Sequence, residues 1–246
     1  MSTTSIAADA PGDLDRLYTY AAYMLGDRAA ALAAVRSMLA GTSPGPLLTR
    51  LQAVRTTILA HAARRKQSPV DVRTRLDDTL RLGTSLSMKM GPTALRSGVR
   101  RLPVLLTGFM QTCLIAAVQA LPPMQREAFV LLVVLGLPEA DVIALQGKTV
   151  HGFSSVKTKM FRSMNAYLAP RCAHIHPNNP CKCPNRLQGA LDQNFVQLPE
   201  HEVASEAYPT GVYPDVRQLY GAVPPLRLGA EVLGSLRGGA VVHMVD

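Results

Sequence analysis

Breakers at four places, Pro122-Pro123, Gly136, Pro138 and Gly147, cut residues 121–168 into helix-sized pieces and leave few other ways to fold them. A helix tolerates proline in its first turn because those amides have no partner there, so Pro122 and Pro123 open one, and Gln125 to Leu135 supplies its apolar run. Pro138 opens a second, shorter helix to about Gln146, with Glu139 and Asp141 in the first turn, where the helix dipole favours negative charge. Beyond Gly147, Ser154 or Ser155 is read as the cap of a third helix, in which Val156, Met160, Met164 and Leu168 form one buried stripe. Lys157, Lys159 and Arg162 fall off that stripe. From Val142 to Leu191 there are seven Lys or Arg and no acid, so the field around the third helix is positive and suits a phosphate backbone. An ordinary three-helix core with a solvated basic face would carry the same pattern.

The rest of the chain points to an all-α fold. With 5 Phe, 7 Tyr and no Trp, the cores fall to Leu, Ala, Val and Met, which favour helices over a sheet. An N-terminal helical module is expected over 13–66, with helices at about Asp13–Leu25, Ala29–Leu39 and Leu47–Arg65, after a disordered 1–12. Residues 67–102 read as a basic linker and 103–170 as a second helical module, a helix-turn-helix. Nine of the 18 prolines lie beyond residue 169, so 171–246 is expected to be a loop-rich extension held by local contacts.

Charge separates body from tail. Residues 1–171 hold 21 basic and 10 acidic side chains, whereas 172–246 hold 5 and 7, so the body is strongly basic within a chain of net charge +9. Such a body fits nucleic acid as a partner. The polar, acidic start lacks a secretory apolar core, and Leu102 to Leu121 is interrupted by Pro103, Gly108, Gln111 and Gln119. A buried amphipathic helix is therefore expected there, with no membrane partner and a cytoplasmic location.

Within the tail, RCAHIHPNNPCKC places Cys172, His174, His176, Cys181 and Cys183 together, all residue types that bind zinc. A structural zinc is one candidate occupant; reduced thiols or a redox pair are the others. Hydrolytic zinc chemistry needs a nearby carboxylate base, and 142–191 contains none, which argues against a metal-dependent enzyme.

The stretch LPPMQREAFVLLVVLGLPEADVIA with VKTKMFRSMNAYL resembles the C-terminal promoter-reading module of bacterial RNA polymerase sigma factors of the extracytoplasmic-function type. LYTYAAYMLGDRAAA and LLTRLQAVRTTILAHAARRK resemble the start and end of their promoter-melting module. The resemblance implies that RNA polymerase core and promoter DNA are partners, that an anti-sigma factor is a further candidate partner, and that transcription initiation is the function, with no enzyme activity at all. It also implies that Lys157, Thr158, Lys159 and Arg162 face the upstream element, with Arg55, Arg64, Arg65 and Lys66 serving the downstream one.

Two departures qualify that expectation. Acidic and amide residues usual in the second helix of the first module are replaced by Leu32, Ala33, Ala34, Val35, Arg36 and Ser37, which weakens complementarity to a basic docking surface. Between Gly147 and Val156 the chain also has about three residues more than the family's turn; an ungapped alignment would put Phe153 to Lys157 in the reading positions, but the gapped one is preferred because VKTKM and the apolar stripe then fall in phase. A degenerate sigma-like regulator that binds DNA or protein without supporting initiation is the alternative.

Overall fold

A computed structural model describes residues 12–41, 45–64, 102–196 and 198–238, with side chains of 61–64 and 238 outside the description. The fold is all-α, and the described residues belong to two compact units. Unit 1 takes the described residues of Met1–Lys66, Pro199–Val203 and Pro225–Asp246; unit 2 takes those of Gln67–Leu198 and Ala204–Pro224.

Unit 1 is built on α1 (Asp13–Leu25), α2 (Arg28–Gly41) and α3 (Leu47–Arg64). Gly26 stops α1 in the left-handed conformation, φ 70°, returning its N–H to the Ala22 carbonyl, as a glycine lacking a Cβ does at little cost. Asp27 then caps α2 by accepting from Ala30 N at 2.9 Å. The expected α1 face is buried at Leu14, Leu17, Tyr18 and Ala21, and it meets Leu32, Val35 and Met38 of α2 and Leu51, Val54 and Ile58 of α3.

The tail does not stay local. Residues 199–203 and 225–238, the latter ending in α10 (Ala230–Gly238), complete this unit. Glu202 and Leu228 form an isolated antiparallel bridge, and Leu228 N donates to the Asp15 carboxylate at 2.9 Å, across 213 residues of sequence. Local composition could not supply that contact, because it depends on chain closure over a long loop.

Unit 2 is organised around α4 (Leu102–Gln119). This helix is long and apolar enough to cross a membrane by length and composition, and most of it is buried inside the unit. It is apolar round most of its circumference, a central core helix where a one-sided amphipathic one was expected. Two of its buried polar side chains bond to backbone carbonyls, Gln111 to Pro224 O at 2.9 Å and Thr112 to Gly108 O at 2.8 Å, while Tyr220 donates to the Leu114 carbonyl at 2.8 Å.

Pro123–Phe129 forms α5, which runs into a π-helical turn at Val130–Val134 and ends before Gly136, φ 63°. Arg126 of α5 donates to the carbonyls of Gln119 and Leu121, closing the end of α4. α6 (Glu139–Gln146) and α7 (Val150–Leu168) follow, then α8 (Cys183–Asp192) and α9 (Val216–Ala222) from the tail. Phe129 packs edge-on against Phe161 of α7 and Tyr220 of α9, with ring centroids 6.2 and 4.8 Å apart. The tail thus contributes short helices to both cores, consistent with its proline content but not with purely local contacts.

Candidate functional site

α6 and α7 are joined by Gly147, Lys148 and Thr149 alone. Gly147 takes φ 61°, and Lys148 N bonds the Ile143 carbonyl at 3.1 Å, so the chain reverses tightly. Thr149 caps α7 by accepting from Gly152 N at 3.1 Å. The expected start at Ser154 or Ser155 is therefore late, and both serines lie exposed within the helix. The extra turn residues anticipated after Gly147 do not exist as a turn.

The earlier start brings Phe153 into the core with no exposure, and the stripe becomes Phe153, Met160, Met164, Tyr167 and Leu168. Val156, placed on the stripe by the four-residue recurrence, is only half-buried. α5 and α6 are tied by a buried polar contact: Gln146 donates to the Glu127 carboxylate at 3.2 Å and to Met124 O at 3.0 Å.

Opposite the stripe, α7 exposes one continuous polar face. Thr158, Lys159 and Arg162 all lie on it, three of the four α7 residues expected there. Lys157 does not join them: it is half-buried, and its ammonium donates to both oxygens of Glu139 at 2.8 and 2.7 Å. His151, Ser154 and Ser155 extend the face towards the N-terminus of α7. They were missed because the helix start was set too late, although Thr149 standing between Gly147 and the run from Val150 was a usable cap signal.

In unit 1, Arg55 is half-buried on α3 and Arg64 lies at the end of that helix, while Arg65 and Lys66 fall outside the described residues. On α2, Leu32 and Val35 point into the core, and Ala33, Arg36 and Ser37 are exposed. The residues replacing the family's acids thus divide between core and surface.

Unit 1 also holds a charged cluster invisible in the sequence. Arg28 is 2% exposed at the first turn of α2, where the helix dipole disfavours a cation, and its guanidinium meets Glu202 at 2.8 Å. Tyr18, fully buried, donates to the other Glu202 oxygen and accepts from His201 Nε2 at 2.8 Å. Burial first, and then the Glu202 charge, push the Tyr18 phenol far above its ordinary range.

The tail thiols lie in unit 2. Cys172 and Cys181 are bridged through their backbones, Ala173 N to Cys181 O and Cys181 N to Arg171 O, each at 3.0 Å. His174 is buried with both ring nitrogens engaged, Nδ1 with Gly211 O and Nε2 with the Tyr208 hydroxyl, each at 2.9 Å. His176 is exposed. Among the described residues no three His, Cys, Asp or Glu side chains stand in metal-ligating geometry. A small cavity of about 30 Å³ is lined by Cys172, His174, Cys181 and Cys183, and also by Cys113 of α4, which the sequence motif did not include. Desolvation pushes these thiols up, Cys181 to about 11 and Cys183 to about 12.

Comparison with models of known protein families, with curated proteins and with solved structures returned no match.

Proposed function

We propose that the protein is a sigma-like transcription initiation factor of the cytoplasm, in which α6, the short turn and α7 enter the major groove of promoter DNA while unit 1 engages RNA polymerase core. The observation that carries this reading is the face of α7 opposite its buried stripe, which offers His151, Ser154, Ser155, Thr158, Lys159 and Arg162 on a helix preceded by a three-residue turn. Polar side chains near the helix start suit base edges, and Lys159 and Arg162 suit phosphates or guanines. Binding energy, with no covalent chemistry, would do the work.

Run-off transcription with purified core polymerase on a library of promoter fragments tests it, with defined transcripts as the expected result. Absence of both core association and transcripts overturns initiation. Lys159→Ala or Arg162→Ala should each lower the dependence of DNA affinity on salt by about one unit of slope, and Lys157→Ala by less, since Glu139 already answers its charge.

The exposed Ala33, Arg36 and Ser37 favour a second reading, a regulator that binds DNA without engaging core. Ala33→Glu with Arg36→Glu should then create measurable core affinity. Leu32 is unsuitable for that experiment, because a carboxylate there would be buried in the core of unit 1.

A further inference from the structure

We propose that Cys113, Cys172, Cys181 and Cys183 form a four-thiolate site for a soft divalent cation, zinc by its ligand chemistry, within unit 2. The inference does not rest on the sigma-like reading. The chain has only four cysteines, and all four line one cavity although they come from α4, from the segment after α7 and from the start of α8. A core that fills its space with Leu, Ala, Val and Met has no packing need to gather every thiol at one point.

The surroundings suit the ion. The cavity has room for one water-sized occupant, and its other walls include the apolar Met110, Leu114 and Leu168. Binding releases four protons and turns four thiols into thiolates, so a zinc site carries two net negative charges. Arg171 lines the cavity, which places positive charge beside that excess. The four sulfurs line the cavity without standing in ligating geometry, so binding must draw them together onto the cation.

The assignment differs from the set suggested by the tail motif. His174 already spends both nitrogens holding Tyr208 and Gly211, and exposed His176 does not line the cavity. Both act outside the ligand shell, with Cys113 supplying the fourth sulfur from a different part of the chain.

The test uses the full-length protein, reduced and then dialysed after growth with zinc. One zinc per chain should remain, and X-ray absorption at the zinc edge should fit four sulfurs at about 2.3 Å. Cys113→Ser should lower zinc affinity more than the roughly 10–100-fold typical of removing an outer partner, with helical circular dichroism retained, whereas His176→Ala should leave affinity unchanged. A chain that neither retains nor takes up zinc overturns the proposal, as does a mixed sulfur and nitrogen shell, a Cys113→Ser protein with unchanged affinity, or a Cys172–Cys181 disulfide in protein isolated under alkylation. If Cys113→Ser fails to fold, the absorption spectrum of the unaltered protein decides alone.

Discussion

Unit 1 closes over its C-terminal residues with charge, whereas unit 2 closes over its own with thiols, aromatic rings and apolar side chains. In unit 1, Glu202 answers an Arg28 that is buried at the wrong end of a helix for its sign, and Tyr18 and His201 complete the hydrogen bonding. In unit 2, Phe195, Tyr220 and the cysteines of the tail pack on α4 and α5. The first arrangement is directional, so removing one member strands the others. The second sums many small contacts and tolerates loss of any one, but its thiols make it sensitive to pH and to metal.

The largest expected effect tests the directional side. Glu202→Ala should destabilise unit 1 by about 3–5 kcal/mol in urea unfolding, because it leaves the Arg28 charge buried without its carboxylate. Arg28→Met with Glu202→Leu should recover much of that loss. If Glu202→Ala leaves the unfolding midpoint unchanged, the charge does not close unit 1.

Alkaline titration separates the units next. A buried thiol stays neutral in the fold but ionises near its ordinary 9.0 once unfolded, so the stabilisation is intact below pH 9.0 and is lost as pH rises towards about 11 for Cys181. Cys181 alone should cost the reduced, zinc-stripped protein on the order of 2 kcal/mol by pH 11. In unit 1 the same sign applies to Tyr18, but its loss begins from the ordinary phenol value of 10.0, so unit 2 should weaken first. Thermal unfolding between pH 7.5 and 11, followed by exchange at residues of each unit, reads the order; simultaneous weakening would remove the distinction.

The smallest effect sharpens unit 2 itself. Thr149→Ala should cost about 1 kcal/mol through loss of the α7 cap, whereas Ser154→Ala should change stability by less than about 0.5 kcal/mol. Equal costs would move the start of α7 back towards Ser154.

Much of the helix pattern was legible in the chain because its signals are local. Gly26 followed by Asp27, Pro123, Gly136 and Gly147 each act on the residues beside them, and the structure stops or starts helices at or next to all of these. The start of α7 was only partly legible: Thr149 was a usable cap signal, but Ser154 and Ser155 are also competent caps and burial of Phe153 chooses among them. For the candidate interface, Thr158, Lys159 and Arg162 could be read from their phase against Met160 and Met164. Pairing of Lys157 with Glu139 could not, because it depends on how α6 crosses α7.

By itself, then, the sequence determined the helical class, most helix ends and the positive charge of the body, all properties of neighbouring residues or of their sum. Tertiary structure alone decided where the tail goes: Glu202 to Arg28, Leu228 to Asp15, Tyr220 to Leu114, and Cys113 into the company of the tail thiols. Those partners stand 59 to 213 residues apart, and no local propensity selects them. They are selected because a buried charge, donor or thiol is costly until the one complementary group in the fold reaches it.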